Sequence, residues 1–457
     1  MNNQSLQKNI VTTASISRRK FVQRSAAGIV GLTSFSRPSI VHGQTAGGDK
    51  LRVAVIGVAG LMGGYSIDCA LREHLVAIVD VDENYIATVM NGKVKDTARP
   101  KIFHDYRRML EQCHNEIDVV LIATPDHHHA PAAMRAMSEG KHVFCQKPLG
   151  HNIAECYAMA KMAREKKVLT QMGNQGYCGE HIRRVSEYIA AGAIGDVVET
   201  HTLLCRNWGG AGGRPETRPV PAGLHWDEWL GPAPVRGYHE QLHPFHWRGW
   251  RHFGTGTIGD MACHHLAVPF MALKLWEYRT FTVECISTSE GSDEKYPTHN
   301  IVCYHFPAGE GRVARKCYLY DDSEMRPAVM RELEQKYTIK WGESTVFVGT
   351  KGYLNNYSRI IPEEEHQKFP PPPKTLPRPL AGAPIEDLFA CIRKGAMPVS
   401  NFTDAAGPLT AMALTGHLSQ TAGAGAKIEW NVDKMQCTNR PDLNRLLKRE
   451  YRASWEI

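Results

Sequence analysis

The chain has 457 residues, with 54 Lys and Arg against 47 Asp and Glu and a formal net charge of +7. Six of the basic residues (Lys8, Arg18, Arg19, Lys20, Arg24 and Arg37) and no acidic residue fall in residues 1–43, so the remainder carries only +1 and offers no electrostatic footprint for nucleic acid. Twelve cysteines occur without a C-x-x-C pair, in apolar segments such as those around Cys145, Cys285 and Cys303, which argues against a disulfide framework and for buried thiols.

In chain order, the first feature is Ser17-Arg18-Arg19-Lys20-Phe21-Val22, followed by an apolar run from Ala26 to Phe35 and by Val41-His42-Gly43, small at the sites a signal peptidase reads. Residues 1–43 therefore read as a twin-arginine (Tat) signal peptide cleaved after Gly43, with the Tat translocase as a partner and the periplasm as destination. The apolar run is short and diluted by Gly28, Gly31, Thr33 and Ser34, too little for a stable membrane anchor. Export of a folded chain lets a bound cofactor travel with it. Such a cofactor has to be held and recycled in place.

About 410 residues remain, enough for two cores. Leu51–Gly57, Leu75–Asp80, Val119–Thr124 and His142–Cys145 read as strands alternating with helical patterns, the signature of a doubly wound parallel sheet, over a first domain at 44–176. A helix over Glu180–Ala191 and a strand over Val197–Leu204 lead into a Gly/Pro-rich surface loop, Gly209–Gly223. Phe281–Ser287, Asn300–Phe306, Val313–Tyr320 and Ser344–Val348 are β-patterned and close in sequence, predicting an open, mainly antiparallel sheet in an α+β domain over 177–457. A polyproline connector, Phe369–Lys374, precedes helices at Pro384–Lys394 and Ala405–Ala422, which are placed to pack back on the first domain.

The run Val53 to Gly64 is an apolar strand entering a glycine-rich turn and a helix, which brings backbone N–H groups against a pyrophosphate. In G-x-G-x-x-G register, Gly57 takes the first position and Ala59 and Met62 the second and third, with Gly60 and Leu61 between them. Asp80 lies 23 residues beyond Gly57, where an acid can bond an adenosine ribose; with Asp82 nearby, a 2′-phosphate is repelled, favouring NAD over NADP.

Ala123-Thr124-Pro125-Asp126-His127-His128-His129, followed by Gly140 to Leu149, resembles the Gfo/Idh/MocA oxidoreductase family, as do Met172–Gly176, Trp247–Leu273 and Arg449–Arg452. The resemblance implies a Rossmann first domain and a nicotinamide held by Thr124, Pro125, Asp126, His129, Gln146, Lys147 and Asn174. The family's Glu-Lys-Pro signature appears as Gln146-Lys147-Pro148, without the acid's charge, and Lys147 takes the place of the lysine beside the reacting hydroxyl. A lysine there stabilises alkoxide character as hydride leaves. The family's D-x-G-x-H pattern appears as Asp260-Met261-Ala262-Cys263-His264, with both functional side chains on one helix face. His264 is assigned as general base and Asp260 as its orienter or a substrate ligand. Family resemblance also implies a homo-oligomer. No metal is expected: three consecutive histidines, His127 to His129, cannot all face one ion in a regular element.

Five of nine tryptophans (Trp208, Trp226, Trp229, Trp247 and Trp250) fall within 43 residues, among His225, His246, Arg206 and Arg248. Aromatic faces beside hydrogen-bonding groups suit a sugar, and Trp247, Arg248 and Trp250 are expected to border the substrate together with Lys147, Asp260 and His264. The reading is an exported NAD-dependent oxidoreductase acting on a secondary hydroxyl of a sugar, polyol or glycoside, with a redox-neutral cycle on retained cofactor. The alternatives are an NAD-dependent glycoside hydrolase using transient oxidation and a non-catalytic sugar-binding protein.

Overall fold

The computed structural model describes residues 50–94, 99–309 and 311–456; the twin-arginine leader lies outside the described residues. Six parallel strands, β1 Arg52–Ile56, β2 His74–Val79, β3 Lys101–Phe103, β4 Val119–Ile122, β5 His142–Gln146 and β6 Thr170–Gly173, pair in the order β3-β2-β1-β4-β5-β6. The order reverses between β1 and β4, which opens a crevice at the carboxyl ends of those two strands.

Two-residue alternation divides each central strand between two cores. Val53, Val55, Val119, Leu121 and Phe144 face one; Ala54, Ile56, Val120, Ile122, Val143 and Cys145 face the other. Burial on both faces is why these strands read as unbroken apolar runs. Strands β3 and β6 escape that signal. Lys101–Phe103 is short and largely exposed. Thr170 and Gln171 are polar yet buried, and their side chains accept backbone bonds from Phe402 (3.1 Å) and Ser400 (2.9 Å).

The second sheet has nine strands: β7 Val197–Leu203, β8 Thr280–Thr288, β9 Asn300–Phe306, β10 Arg315–Tyr320, β11 Thr345–Gly349, β12 Gly352–Asn355, β13 Ile360–Ile361, β14 Lys427–Asn431 and β15 Gln436–Cys437. Their order is β13-β12-β11-β7-β10-β9-β8-β14-β15. All neighbours are antiparallel except β7 with β10, which run parallel.

Two later helices tie the sheets together. Pro384–Lys394 inserts Ile385, Leu388 and Phe389 into the core beneath β1, and ion pairs Arg72–Glu386 (2.6 Å) and Arg393–Glu73 (2.5 Å) flank it. Gly407–Ala422 packs against the helix Ile153–Lys166 and accepts a bond from Tyr304 Oη at Ala413 O (2.9 Å). One apolar core consequently runs from Ala54 and Val120 in the first sheet to Val283 and Val302 in the second. All twelve cysteines are free and all but Cys205 are buried. No described helix is long and apolar enough to cross a membrane.

The interior is rich in neutral histidine. Burial pushes His128, His142 and His417 down to about 4, and holds His127 and His151 well below the ordinary histidine value. Burial also raises Asp80 to about 6 and Asp126 and Asp321 to about 7, which acts in the opposite sense. Between about pH 4 and 6.5 the unfolded histidines take up more protons than the folded ones, and five such histidines outweigh three such carboxyls. Stability therefore rises with pH across this window and is lost as pH falls through it. A melting temperature that stays level or rises from pH 6.5 to 4.5 would contradict this.

Candidate functional site

Strand β1 ends in a turn whose backbone only glycine accommodates easily. Gly57 has φ +83°, donates to Val79 O (2.8 Å), and a Cβ on it would lie 2.6 Å from Ala123 O. The helix Gly60–Arg72 starts immediately afterwards with its N-terminus free of side-chain caps. The structure corrects the register of the motif. The close helix-to-strand approach belongs to Gly63, where a Cβ would stand 2.4 Å from the Val58 carbonyl carbon, and not to Met62. The glycines follow a G-x-x-G-x-x-G spacing at 57, 60 and 63, which was visible in the sequence as one extra residue in the turn. Gly57→Ala is expected to weaken nucleotide binding by about tenfold or more through strain and backbone collision, measured by quenching of protein fluorescence on NADH titration.

Asp80 ends the second strand with both carboxylate oxygens engaged by backbone donors, Val58 N at 2.8 Å and Asp82 N at 3.0 Å. It thereby fixes the turn and presents its remaining lone pairs to the crevice. A cleft of about 580 Å³ opens here, lined by Gly57, Ala59, Gly60, Leu61, Met62, Asp80, Thr124, Pro125, Asp126, Gln146 and Lys147. The buried Thr124 Oγ1 and Gln146 Nε2 have no hydrogen-bond partner among the described residues, which leaves a hydroxyl and an amide donor free at this end. A glycine turn, a helix N-terminus, an acid after the second strand and these orphan groups together fit a dinucleotide.

Two expected cofactor residues lie behind the cleft instead of in it. His129 is 1% exposed and its ring nitrogens contact Thr124 O (2.9 Å) and Pro148 O (2.7 Å), joining the turn that carries Pro125 to the turn that carries Lys147. Asn174 is fully buried; its Oδ1 accepts from Gly176 N (3.1 Å) and its Nδ2 donates to Cys263 O, anchoring the helix Gly256–His265. Both act on the site by holding its supports. His127 and His128 likewise spend ring nitrogens on Phe253 O and Trp229 O.

At the far end of the cleft the two domains meet. Lys147 Nζ donates to Asp260 Oδ1 (2.6 Å) and to Asp260 O (2.8 Å), and Trp208 Nε1 donates to Asp260 Oδ2 (2.9 Å). Burial would raise Asp260, but the Lys147 ammonium and its hydrogen bond hold the carboxyl below its usual range. Asp260 is therefore committed to Lys147 and Trp208 and makes no hydrogen bond to His264, which corrects its assignment as that ring's orienter. Trp208 is the partner that sequence reasoning left outside the site. His264 sits one helical turn on, pushed down to about 3 by burial first and by Lys147 next, with no hydrogen-bond partner on either ring nitrogen among the described residues. Its ring is a neutral proton acceptor.

Asp126 adds a second carboxyl. It is 2% exposed, accepts from Thr255 Oγ1 (2.7 Å), and burial followed by the Asp260 charge pushes it up to about 7. Trp247 and Arg248 line the same cleft, with the Arg248 guanidinium 4.2 Å from the Trp247 ring centroid. Trp250 does not line it. That indole belongs to a satellite core with Trp229, Leu242 and Phe253 and donates to Gln241 O (3.0 Å).

A strap from the second domain pairs with the chain that follows the second strand. Leu224 bridges Asp82, Gly223 O accepts from Glu83 N (2.9 Å), and His225 N donates to Val81 O (2.8 Å). The chain's last described segment adds Trp455 to the cleft wall, with the Arg107 guanidinium 3.6 Å from its ring centroid. Nothing in the local composition around Trp455 marks it; its place depends on contacts across the whole fold.

A switch-point nucleotide cleft in which Lys147 of the first domain meets Asp260 of a second, mainly antiparallel domain defines a two-domain dehydrogenase-type architecture. The family model described as "Oxidoreductase family, NAD-binding Rossmann fold" matches residues 51–174, and the model for that family's C-terminal alpha/beta domain matches residues 197–301. The chain belongs to the Gfo/Idh/MocA family of NAD-binding oxidoreductases. It is 29% identical over 209 residues to a glycosyl hydrolase family 109 protein of Shewanella putrefaciens, covering 40% of this chain and 45% of the relative. It is 30% identical over 161 residues to a levoglucosan dehydrogenase of Pseudarthrobacter phenanthrenivorans, covering 35% and 33%. The chain spans less than half the length of these curated relatives. In fold it is similar to the WlbA dehydrogenase of Bordetella pertussis in complex with NADH and UDP-GlcNAcA, with TM-score 0.56, 17% identity, and coverage of 83% of this chain and 98% of that one.

Proposed function

We propose that the chain is an exported oxidoreductase that moves hydride between a secondary hydroxyl of a sugar, polyol or glycoside and a retained NAD. The observation that carries the reading is the Lys147–Asp260 pair, 2.6 Å apart, at the inner end of the dinucleotide cleft. When bound, the nicotinamide accepts hydride from the carbon that bears the hydroxyl. Gly57, Gly60 and the helix N-terminus would hold its pyrophosphate, Asp80 a ribose, and Thr124 and Gln146 the nicotinamide end. Lys147 donates a hydrogen bond to the reacting oxygen, and Asp260 holds that ammonium in place. His264 takes the hydroxyl proton at a ring nitrogen, leaving a carbonyl. Trp247 and Arg248 offer an aromatic face and donors to the rest of the sugar.

Retention of the cofactor is supported by the leader in the sequence. Nicotinamide exchange is unavailable to an exported chain without a supply, so a second substrate, or the keto product itself, restores the oxidised form. The test is to purify the protein without added nucleotide, denature it, and identify what is released by chromatography. Stoichiometric NAD(H) is expected; an empty protein with millimolar NAD affinity would sink retention.

A second reading is favoured by Asp126. Glycoside cleavage by transient oxidation requires an additional acid or base near the leaving group, and a carboxyl held near pH 7 within the cleft supplies one. It predicts NAD-dependent release of nitrophenol from nitrophenyl glycosides with no net NADH, lost in Asp126→Asn. A protein that only binds sugar would tolerate Lys147→Ala and His264→Ala without change in ligand affinity and would retain no nucleotide.

A further inference from the structure

Where the strap meets the first sheet, three side chains from three separate segments converge: Glu83 just after β2, His104 just after β3, and His225 of the strap. Their candidate ligand atoms all lie within 4.8 Å of one another, and His225 Nε2 stands 3.0 Å from Glu83 Oε1. We propose that Glu83, His104 and His225 form a binding site for one divalent transition-metal ion with the ligand preferences of zinc, which pins the strap to the nucleotide-binding sheet.

The ligand chemistry is the first argument. Two imidazoles and a carboxylate make a nitrogen and oxygen donor set suited to zinc, with a fourth position left for water. One carboxylate charge partly neutralises the ion. The second argument is the tautomer of His104. Its Nδ1 lies 2.9 Å from Asp80 O, and a carbonyl only accepts, so Nδ1 carries the proton and Nε2 keeps a free lone pair. A ring held from behind by a backbone carbonyl is the outer-sphere arrangement typical of metal-ligating histidine.

The fold does not need these side chains for attachment. Backbone bonds from Glu83 to Gly223 and from His225 to Val81 already hold the strap. The His104 and His225 rings nonetheless stack, with centroids 3.9 Å apart and planes 12° from parallel. Zinc–nitrogen and zinc–oxygen bonds of about 2.0–2.1 Å put neighbouring donors about 3.3 Å apart, so the Glu83–His225 separation already fits. With His104 held at Asp80 O, the His225 ring has to rotate about χ2 for the two lone pairs to converge. The Glu83 and His225 side chains are 57% and 33% exposed, and leave room for it.

The experiment uses the full chain after removal of metal by chelation. Zn²⁺ titration by calorimetry is expected to give one site per chain, with affinity reduced about tenfold or more in His104→Ala, His225→Ala and Glu83→Gln. Co²⁺ in place of Zn²⁺ is expected to give visible d–d absorption that disappears in the same variants. Glu83→Gln preserves shape, and a circular-dichroism melt of each variant separates lost binding from lost folding. Absence of a stoichiometric site, or a site whose affinity is unchanged in folded variants of all three residues, overturns the proposal.

Discussion

Lys147→Met is expected to lower the rate of hydride transfer by about 10²–10³-fold and to destabilise the protein as well. The rate effect follows from removing the one charged donor aimed at the reacting oxygen, a loss of the size seen when an oxyanion donor is deleted. The stability effect follows from the partner left behind. Asp260 is 6% exposed, and truncating one member of a buried ion pair costs about 3–5 kcal/mol because an unpaired charge remains. The double variant Lys147→Met/Asp260→Asn separates the two. It should recover much of the melting temperature while activity stays low. If the double variant regained activity, Lys147 would have no role in the reaction; if the single variant melted like the parent, the pair would contribute nothing to the fold.

His264→Ala is expected to slow the oxidation by about 10²–10⁴-fold, the range for a lost general base, while leaving nucleotide content unchanged because the ring does not line the dinucleotide cleft. Its pH dependence has a definite sign. The ring accepts a proton only when neutral, so activity is kept at higher pH and falls as His264 becomes protonated. Burial and Lys147 place that protonation at about 3, so the acid limb of kcat/KM should lie well below the ordinary histidine range. A limb at or above pH 6.5 that persists in His264→Ala would assign the base to another group.

Much of this was legible in the sequence, for reasons that differ by element. The central strands β1, β2, β4 and β5 declare themselves because burial on both faces demands continuous apolar residues; Lys147, Asp260 and His264 came from the family resemblance of their motifs, and of the three the structure joins Lys147 to Asp260. Strand β6 was hidden because Thr170 and Gln171 are satisfied by residues some 230 positions away, a contact no local pattern carries. The same distance explains the misplaced site residues. His129 and Trp250 are of the right type near the right motif, but whether a side chain faces a cleft or its supporting wall depends on which distant carbonyls reach it. Trp208 enters only because the helix Gly256–His265 comes to lie beside it, with Thr257 Oγ1 accepting from Trp208 N (2.9 Å). The glycine register was recoverable, since Gly63 stands in plain view six residues after Gly57.

The shared core that runs from Ala54 to Val283 also limits how this protein can change over time. Lys147 hangs from one sheet and Asp260 from a helix packed on the other, so their 2.6 Å contact is dimensioned by interior packing and not by a hinge that could be reset. A lineage that shifted the two domains to admit a bulkier substrate would break the reacting group before gaining the new one. Diversification toward other sugars is thereby channelled into the segments that packing leaves alone, such as the largely exposed loop over 211–222, where insertions and substitutions meet no core while the chemistry beneath stays fixed.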